Sequence, residues 1–231
     1  MRLKNVPGAR EAVGQSEWVV NTPAEYRGRW REVFGRRATL SVEIGMGKGQ
    51  FLVTLAGQHP EQDFVGIEKY SSVLIRAVEK QEELALPNLR LLRLDAELLE
   101  EVFAPGEVDR IYLNFSDPWP KERHAKRRLT SPDYLARYRR VLAEGGQVEF
   151  KTDNTDLFSW SLGTIESESW RILACTRDLH HDPELVRGNV MTEYEARFSA
   201  QGNPICKVIF APDRSRDEFF VKKLEKNTCN S

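Results

Sequence analysis

Residues 40–49 read LSVEIGMGKG, and this stretch decides the fold. Leu40 to Ile44 is a short, mostly apolar run of strand length. It stops at Gly45-Met46-Gly47-Lys48-Gly49, where alternate glycines permit a tight turn and close backbone approach to a ligand. Phe51, Leu52, Leu55 and Ala56 then recur at helical spacing. A strand, a glycine turn and a helix in that order open a parallel α/β sheet.

Downstream the pattern repeats. Phe64 to Glu68 is a second strand, and Val73, Leu74, Ala77 and Val78 form a second helix face closed by Pro87. Leu89 to Asp95 and Ile111 to Phe115 supply strands three and four. Tyr134, Leu135, Tyr138, Val141 and Leu142 make a helical stripe that stops at Gly145-Gly146, before a fifth strand at Val148 to Lys151. Asn154 is placed to cap a helix running to about residue 167. Five strands alternating with helices predict a doubly wound, mainly parallel sheet. Stretches 170–176 and 205–211, with no crossover helix evident between them, predict an antiparallel finish. Residues 1–37 read as a basic arm, ordered weakly or by a partner, with a short helix through Tyr26, Trp30, Val33 and Phe34. Residues 213–231 read as a charged tail, where Phe219, Phe220, Val221 and Leu224 suggest a short helix.

Composition narrows the class. The chain has 231 residues, 40% hydrophobic and 30% charged, which suits one α/β domain with a substantial core. No run approaches the roughly 20 apolar residues of a membrane span, and no apolar signal region follows the first basic residues. A cytoplasmic, reducing environment is therefore expected. Cys175, Cys206 and Cys229 are scattered, with no CxxC spacing, which argues against a disulfide framework or a zinc site. His180 and His181 are adjacent, lack a second ligand pair and read as surface residues, so no metal is expected.

Acids mark the strand ends. In such sheets ligands bind outside the carboxyl ends of the strands, near the topological switch point. Glu43 precedes the glycine turn, Glu68 closes the second strand, Asp95 the third, and Asp117 follows the fourth. Glu68 lies where an acid can accept both ribose hydroxyls, and Asp95 where one can hold an adenine edge. Four carboxylates would repel the pyrophosphate of a dinucleotide. S-adenosylmethionine has no phosphate and carries a sulfonium and an ammonium. The turn is also Gly-x-Gly-x-Gly, not the Gly-x-Gly-x-x-Gly of dinucleotide sites. A methyl donor fits better than a nicotinamide, although a glycine turn of this kind also has purely structural uses.

The stretch 111–128, IYLNFSDPWPKERHAKRR, joins that pocket to a basic run. From Lys121 to Arg140 there are eight Lys or Arg against two acids, and from Met1 to Leu40 eight against four, although the whole chain is near neutral. Such asymmetry is a phosphate footprint or a solvated helix face. Trp119, between two prolines, is either a platform for a flipped base, worth about 1–3 kcal/mol, or a core tryptophan.

The stretches VEIGMGKGQF, VGIE, YLNFSDPWPKERHAKRRLT, FKTDN and MTEYEARF resemble the bacterial tRNA (guanine-N(7)-)-methyltransferases, in order and over most of the chain. SDPWPK followed by HxKRR is specific to them, whereas the glycine turn is shared by class I methyltransferases generally. The resemblance implies a seven-stranded, Rossmann-like class I sheet over residues 38–212, methylation of a variable-loop guanine, and tRNA as partner. By matching positions, Glu43, Gly45, Gly47, Glu68, Asp95 and Asp117 would line the S-adenosylmethionine site, with Asp117 also catalytic. Lys121, Asp153, Thr192, Glu193, Tyr194 and Glu195 would contact the substrate. Arg123, His124, Lys126, Arg127 and Arg128 would grip the RNA backbone. Monomer and homodimer stay open.

Guanine N(7) has a free lone pair and no proton, so no strong general base is needed. Asp117 is expected to orient the base and stabilise its developing positive charge. Two other readings stand beside this one. NFSDPW resembles the turn of adenine amino-methyltransferases, although those enzymes hold an exocyclic amine through a second proline-proline turn that is absent here. A non-catalytic RNA-binding protein with a vestigial donor pocket would carry the same cationic run.

Overall fold

The computed structural model describes residues 6–216. The tail helix expected around Phe219 and the third cysteine, Cys229, lie outside them. Seven strands form one sheet: β1 (Leu40–Ile44), β2 (Asp63–Glu68), β3 (Leu89–Arg93), β4 (Val108–Asn114), β5 (Leu142–Thr152), β6 (Trp170–Thr176) and β7 (Cys206–Pro212). Their order is β3-β2-β1-β4-β5-β7-β6, so the chain reverses its direction of growth between β1 and β4. Pairing is parallel from β3 across to β5. β7 is antiparallel to both β5 and β6, the predicted finish.

The alternation of side chains along each strand sorts the core into two layers. Val42, Ile44, Val65, Ile67, Ile111, Leu113, Val148 and Phe150 point to one face. There they pack under α5 (Leu99–Val102), α6 (Pro132–Val141) and α7 (Thr155–Ser167). Phe64, Leu89, Leu91 and Tyr112 point to the other face, under α3 (Gln50–Gln58), α4 (Ser71–Leu84) and α1 (Ala9–Gln15). These three helices lie over the β3-β2-β1 side, and Phe51 of α3 meets Tyr112 of β4 edge-on. Over β4, β5 and β7 the same face is polar, and Glu149 bridges Arg110 (2.6 Å) and Lys207 (2.9 Å) across the strands.

Three expectations change. Residues 9–37 are not a loose arm. Trp18–Val20 hydrogen-bond along Leu91 at the β3 edge, and Val13 and Val19 are buried. The expected short helix breaks at Gly28 into a 3-10 turn (Pro23–Tyr26) and α2 (Trp30–Phe34). Glu107 caps α2 from across the domain, accepting from the amides of Gly28 (2.8 Å) and Trp30 (3.1 Å). A further helix, α8 (Glu193–Ser199), stands between β6 and β7 where none was evident. The charged sequence of α8 carries little apolar periodicity; its start is fixed by the Thr192 hydroxyl, which accepts from the Glu195 amide at 2.9 Å.

Trp30 makes the amino-terminal segment part of the core. It is 2% exposed, its indole N–H donates to the Val102 carbonyl at 3.0 Å, and it stacks on Phe103. Trp30→Ala is expected to cost about 3–5 kcal/mol, lowering the melting temperature by roughly 10 °C in a thermal unfolding scan. A free arm would leave it unchanged.

Candidate active site

The acids meet at the carboxyl edge of the parallel strands. Gly45 and Met46 both donate their amides to the Ile67 carbonyl, which folds the glycine turn back over β2. Gly47 has φ +60° and presents its amide to Glu68 Oε2 at 3.2 Å. At Gly49, φ is +76° and a Cβ would lie 2.7 Å from that of Ala77, so only glycine lets α3 start this close to α4.

Glu43 is 1% exposed. Its Oε1 accepts from Asn114 Nδ2 at 2.8 Å across the β1–β4 switch, and its Oε2, also buried, has no hydrogen-bond partner. Burial pushes its carboxyl up to about 7, against the opposing pull of Asn114 and the Lys151 charge. An unpaired buried carboxylate oxygen beside the glycine turn fits a ligand that brings positive charge. Glu68 accepts from the amides of Gly47 and Tyr70, and burial raises it, with the Asp117 charge adding to the rise. Two hydrogen bonds leave part of its acceptor capacity free. Asp95 is ion-paired with Lys69 and caps the turn at Glu97. Burial raises its carboxyl, but Lys69 and the Glu97 amide outweigh that and hold it low.

Asp117 is exposed on the loop after β4, between two residues of left-handed backbone, Phe115 (φ +52°) and Trp119 (φ +42°). Trp119 is neither core nor free platform. It is half-buried, Arg127 lies 4.9 Å over its ring, and His124 meets it edge-on. Lys121, Arg123, Lys126 and Arg127 project into solvent around a 3-10 turn (Glu122–Arg127). Arg128, expected among the RNA contacts, does not project. It is buried and donates to the Pro118 and Trp119 carbonyls.

Across the edge, the segment 189–195 is tied down by Lys151. Its ammonium donates to Glu195 Oε2 (2.6 Å), the Val190 carbonyl (2.9 Å) and Asn189 Oδ1 (3.1 Å). Glu195 has no solvent exposure, and its other oxygen accepts from Asn189 and faces His180 at 3.4 Å. Burial lowers Lys151, with Glu195 opposing. His180 is thus a half-buried neighbour of this pair, not the surface residue expected; His181 is exposed.

The four substrate positions from Thr192 to Glu195 therefore separate. Thr192 caps α8, Glu193 pairs with Lys48 of the glycine turn and Lys80 of α4, and Glu195 is internal. Tyr194 alone is exposed as an aromatic face. It stacks on Phe198 at 4.1 Å, leans on Phe115 at 5.0 Å and donates its hydroxyl to Asp153 at 3.1 Å. Asn154 is a helix cap, accepting from the Leu157 amide. Lys151, Asn114 and Asn189 were passed over by sequence reasoning. The first two lie inside the motifs FKTDN and NFSDPW, where alternation places both on the same sheet face as Glu43; Asn189 carries no local signal.

A family model described as a putative methyltransferase matches residues 37–208. A tRNA (guanine-N(7)-)-methyltransferase of Lachnoclostridium phytofermentans is 56% identical over 209 residues, covering 90% of this chain and 97% of that one. One of Geobacillus kaustophilus is 48% identical, covering 93% and 100%. Among solved structures, the 16S rRNA methyltransferase KamB superposes with a TM-score of 0.59 over 79% of this chain and 91% of that one. At 17% identity, that likeness speaks to the fold alone. The sheet is that of the class I, Rossmann-like methyltransferases, whose methyl donor is S-adenosylmethionine, and the chain belongs to the tRNA (guanine-N(7)-)-methyltransferase family.

Proposed function

We propose that this enzyme methylates guanine N(7) in the variable loop of tRNA, with Asp117 as the catalytic residue. One observation carries the reading: Asp117 stands exposed between the buried acids of the donor side and the exposed cations of residues 121–127, near enough to Glu68 to raise its carboxyl. Glu43, Glu68 and Asp95 would hold the donor, with the Gly45 and Gly47 backbone against it. S-adenosylmethionine supplies an electrophilic methyl group on its sulfonium.

The chain's own part is orientation and charge. Guanine N(7) attacks through a lone pair that carries no proton, so alignment does most of the work, worth up to roughly 7–11 kcal/mol when geometry is held. The product base is cationic, and the Asp117 carboxylate stabilises that charge as it develops. The exposed Tyr194 ring, held by Asp153, Phe198 and Phe115, offers the base a face to stack on. Asp153, bonded to the Tyr194 hydroxyl, and Lys121 would make polar contacts to the substrate, with Thr192 and Glu193 shaping the rim. Arg123, His124, Lys126 and Arg127 would take the backbone phosphates.

Mass mapping of tRNA incubated with protein and donor is expected to find one added methyl on a variable-loop guanine; a methyl on adenine would overturn the reading. Asp117→Ala should lower kcat by about 100- to 1,000-fold while tRNA still binds, since it removes charge stabilisation. Full activity in that variant would remove Asp117 from catalysis. Lys126→Ala and Arg127→Ala should each reduce the slope of log affinity against log salt by about one, measured by filter binding.

The raised carboxyl of Glu43 sets a pH dependence. Between about pH 4.5 and 7 the native state binds more protons than the unfolded chain, so stability should fall as pH rises across that window. A cationic donor favours the ionised carboxylate, so donor affinity should rise as pH increases toward 7. Glu43→Gln is expected to flatten both curves in denaturant titrations and calorimetry. Parallel curves for variant and parent would show that another group titrates.

A further inference from the structure

The cation at position 128 is built differently from its neighbours. Lys126 and Arg127 are exposed, whereas the Arg128 side chain is 7% exposed. Its Nε donates to the Pro118 carbonyl at 3.2 Å and its Nη2 to the Trp119 carbonyl at 3.1 Å. The guanidinium carbon lies over the Trp160 ring of α7, 4.3 Å from its centroid. Glu122, itself exposed, reaches it at 4.0 Å. A bidentate phosphate contact needs a donor edge of the guanidinium turned outward, and here the Nε–Nη2 edge faces the two carbonyls.

The two carbonyls belong to the turn that follows Asp117. That turn needs holding, because Phe115 and Trp119, on either side of Asp117, both adopt left-handed backbone. Non-glycine residues persist there only when the surroundings over-determine them. The carboxyl end of the clamp is anchored in turn: Thr130 and Ser161 share a hydrogen bond of 2.7 Å, and Ser131 donates to the Lys126 carbonyl.

We propose that Arg128 is a positioning residue: it locks the Pro118–Trp119 turn onto α7 and thereby sets the place of Asp117, without touching the RNA. The proposal rests on the role of Asp117 given above. Planarity makes the position selective for arginine. A rigid fork donates to two successive carbonyls while its carbon sits over an indole, which a lysine ammonium on a flexible stem cannot reproduce.

The test compares Arg128→Lys, Arg128→Ala and Trp160→Leu with Lys126→Ala in the full chain. It measures kcat at saturating tRNA and donor, well below each variant's melting temperature, and the salt dependence of tRNA binding. Arg128→Lys keeps the charge, yet is expected to lose about 10- to 100-fold in kcat, the scale of a misplaced catalytic group. Its salt slope should match the parent, and Trp160→Leu should behave alike. Lys126→Ala should differ in binding, with a salt slope lower by about one. Parental kcat in Arg128→Lys, or a slope lowered by about one in Arg128→Ala, would overturn the proposal. Recovery of kcat on cooling would also overturn it, by showing a role in stability alone. Asp117→Ala reports separately: if it retains full activity the catalytic reading fails, whatever Arg128 does.

Discussion

A lysine and a glutamate, both nearly without solvent and 2.6 Å apart, hold the two halves of the site together. Lys151 comes from the end of β5 and Glu195 from α8, so this ion pair joins the sheet to the segment that carries Tyr194. A buried charge is tolerated only where its partners are complete, and here they are: Asn189 and the Val190 carbonyl supply the remaining bonds. The same ammonium lies close enough to Glu43 to pull against the effect of its burial. Glu43 and the segment that carries Tyr194 are thus linked through one cation. Such a pair contributes geometry more than net stability, because desolvating both groups offsets much of their attraction.

That coupling depends on the two-sided character of the sheet. Apolar side chains cover one face throughout, while the other is apolar beneath α3 and α4 and polar across β4, β5 and β7. Glu43, Asn114 and Lys151 line up on the polar half, at its carboxyl edge. The reversal of strand order between β1 and β4 opens the edge there, as in other doubly wound sheets. The glycine turn then needs no side chain of its own; its backbone amides lean on Ile67 and Glu68.

The cationic run is likewise divided by its packing. In sequence, residues 121–128 are one basic stretch. In space, Arg127 stacks on Trp119, Arg128 turns inward to hold the loop carbonyls, and the others face solvent. Charge count cannot distinguish a cation that meets phosphate from one that organises the loop presenting it.

Much of this molecule was legible in its residues. Strand and helix periods decided the parallel α/β sheet, because a two-residue alternation and a 3.6-residue stripe are local properties of the chain. Acids after strands and glycines in a turn pointed, for the same local reason, to the carboxyl edge where Glu43, Glu68 and the glycine turn meet. What the sequence could not determine were contacts between residues far apart along it. Trp30 belongs to the core only because Val102 and Phe103 receive it. Glu195 is internal only because Lys151, distant along the chain, needs a counter-charge there. Arg128 differs from Arg127 only because Trp160 and two carbonyls lie within its reach. Burial and pairing are properties of the assembled chain, and the tertiary structure alone decided which charges face solvent and which are paired inside.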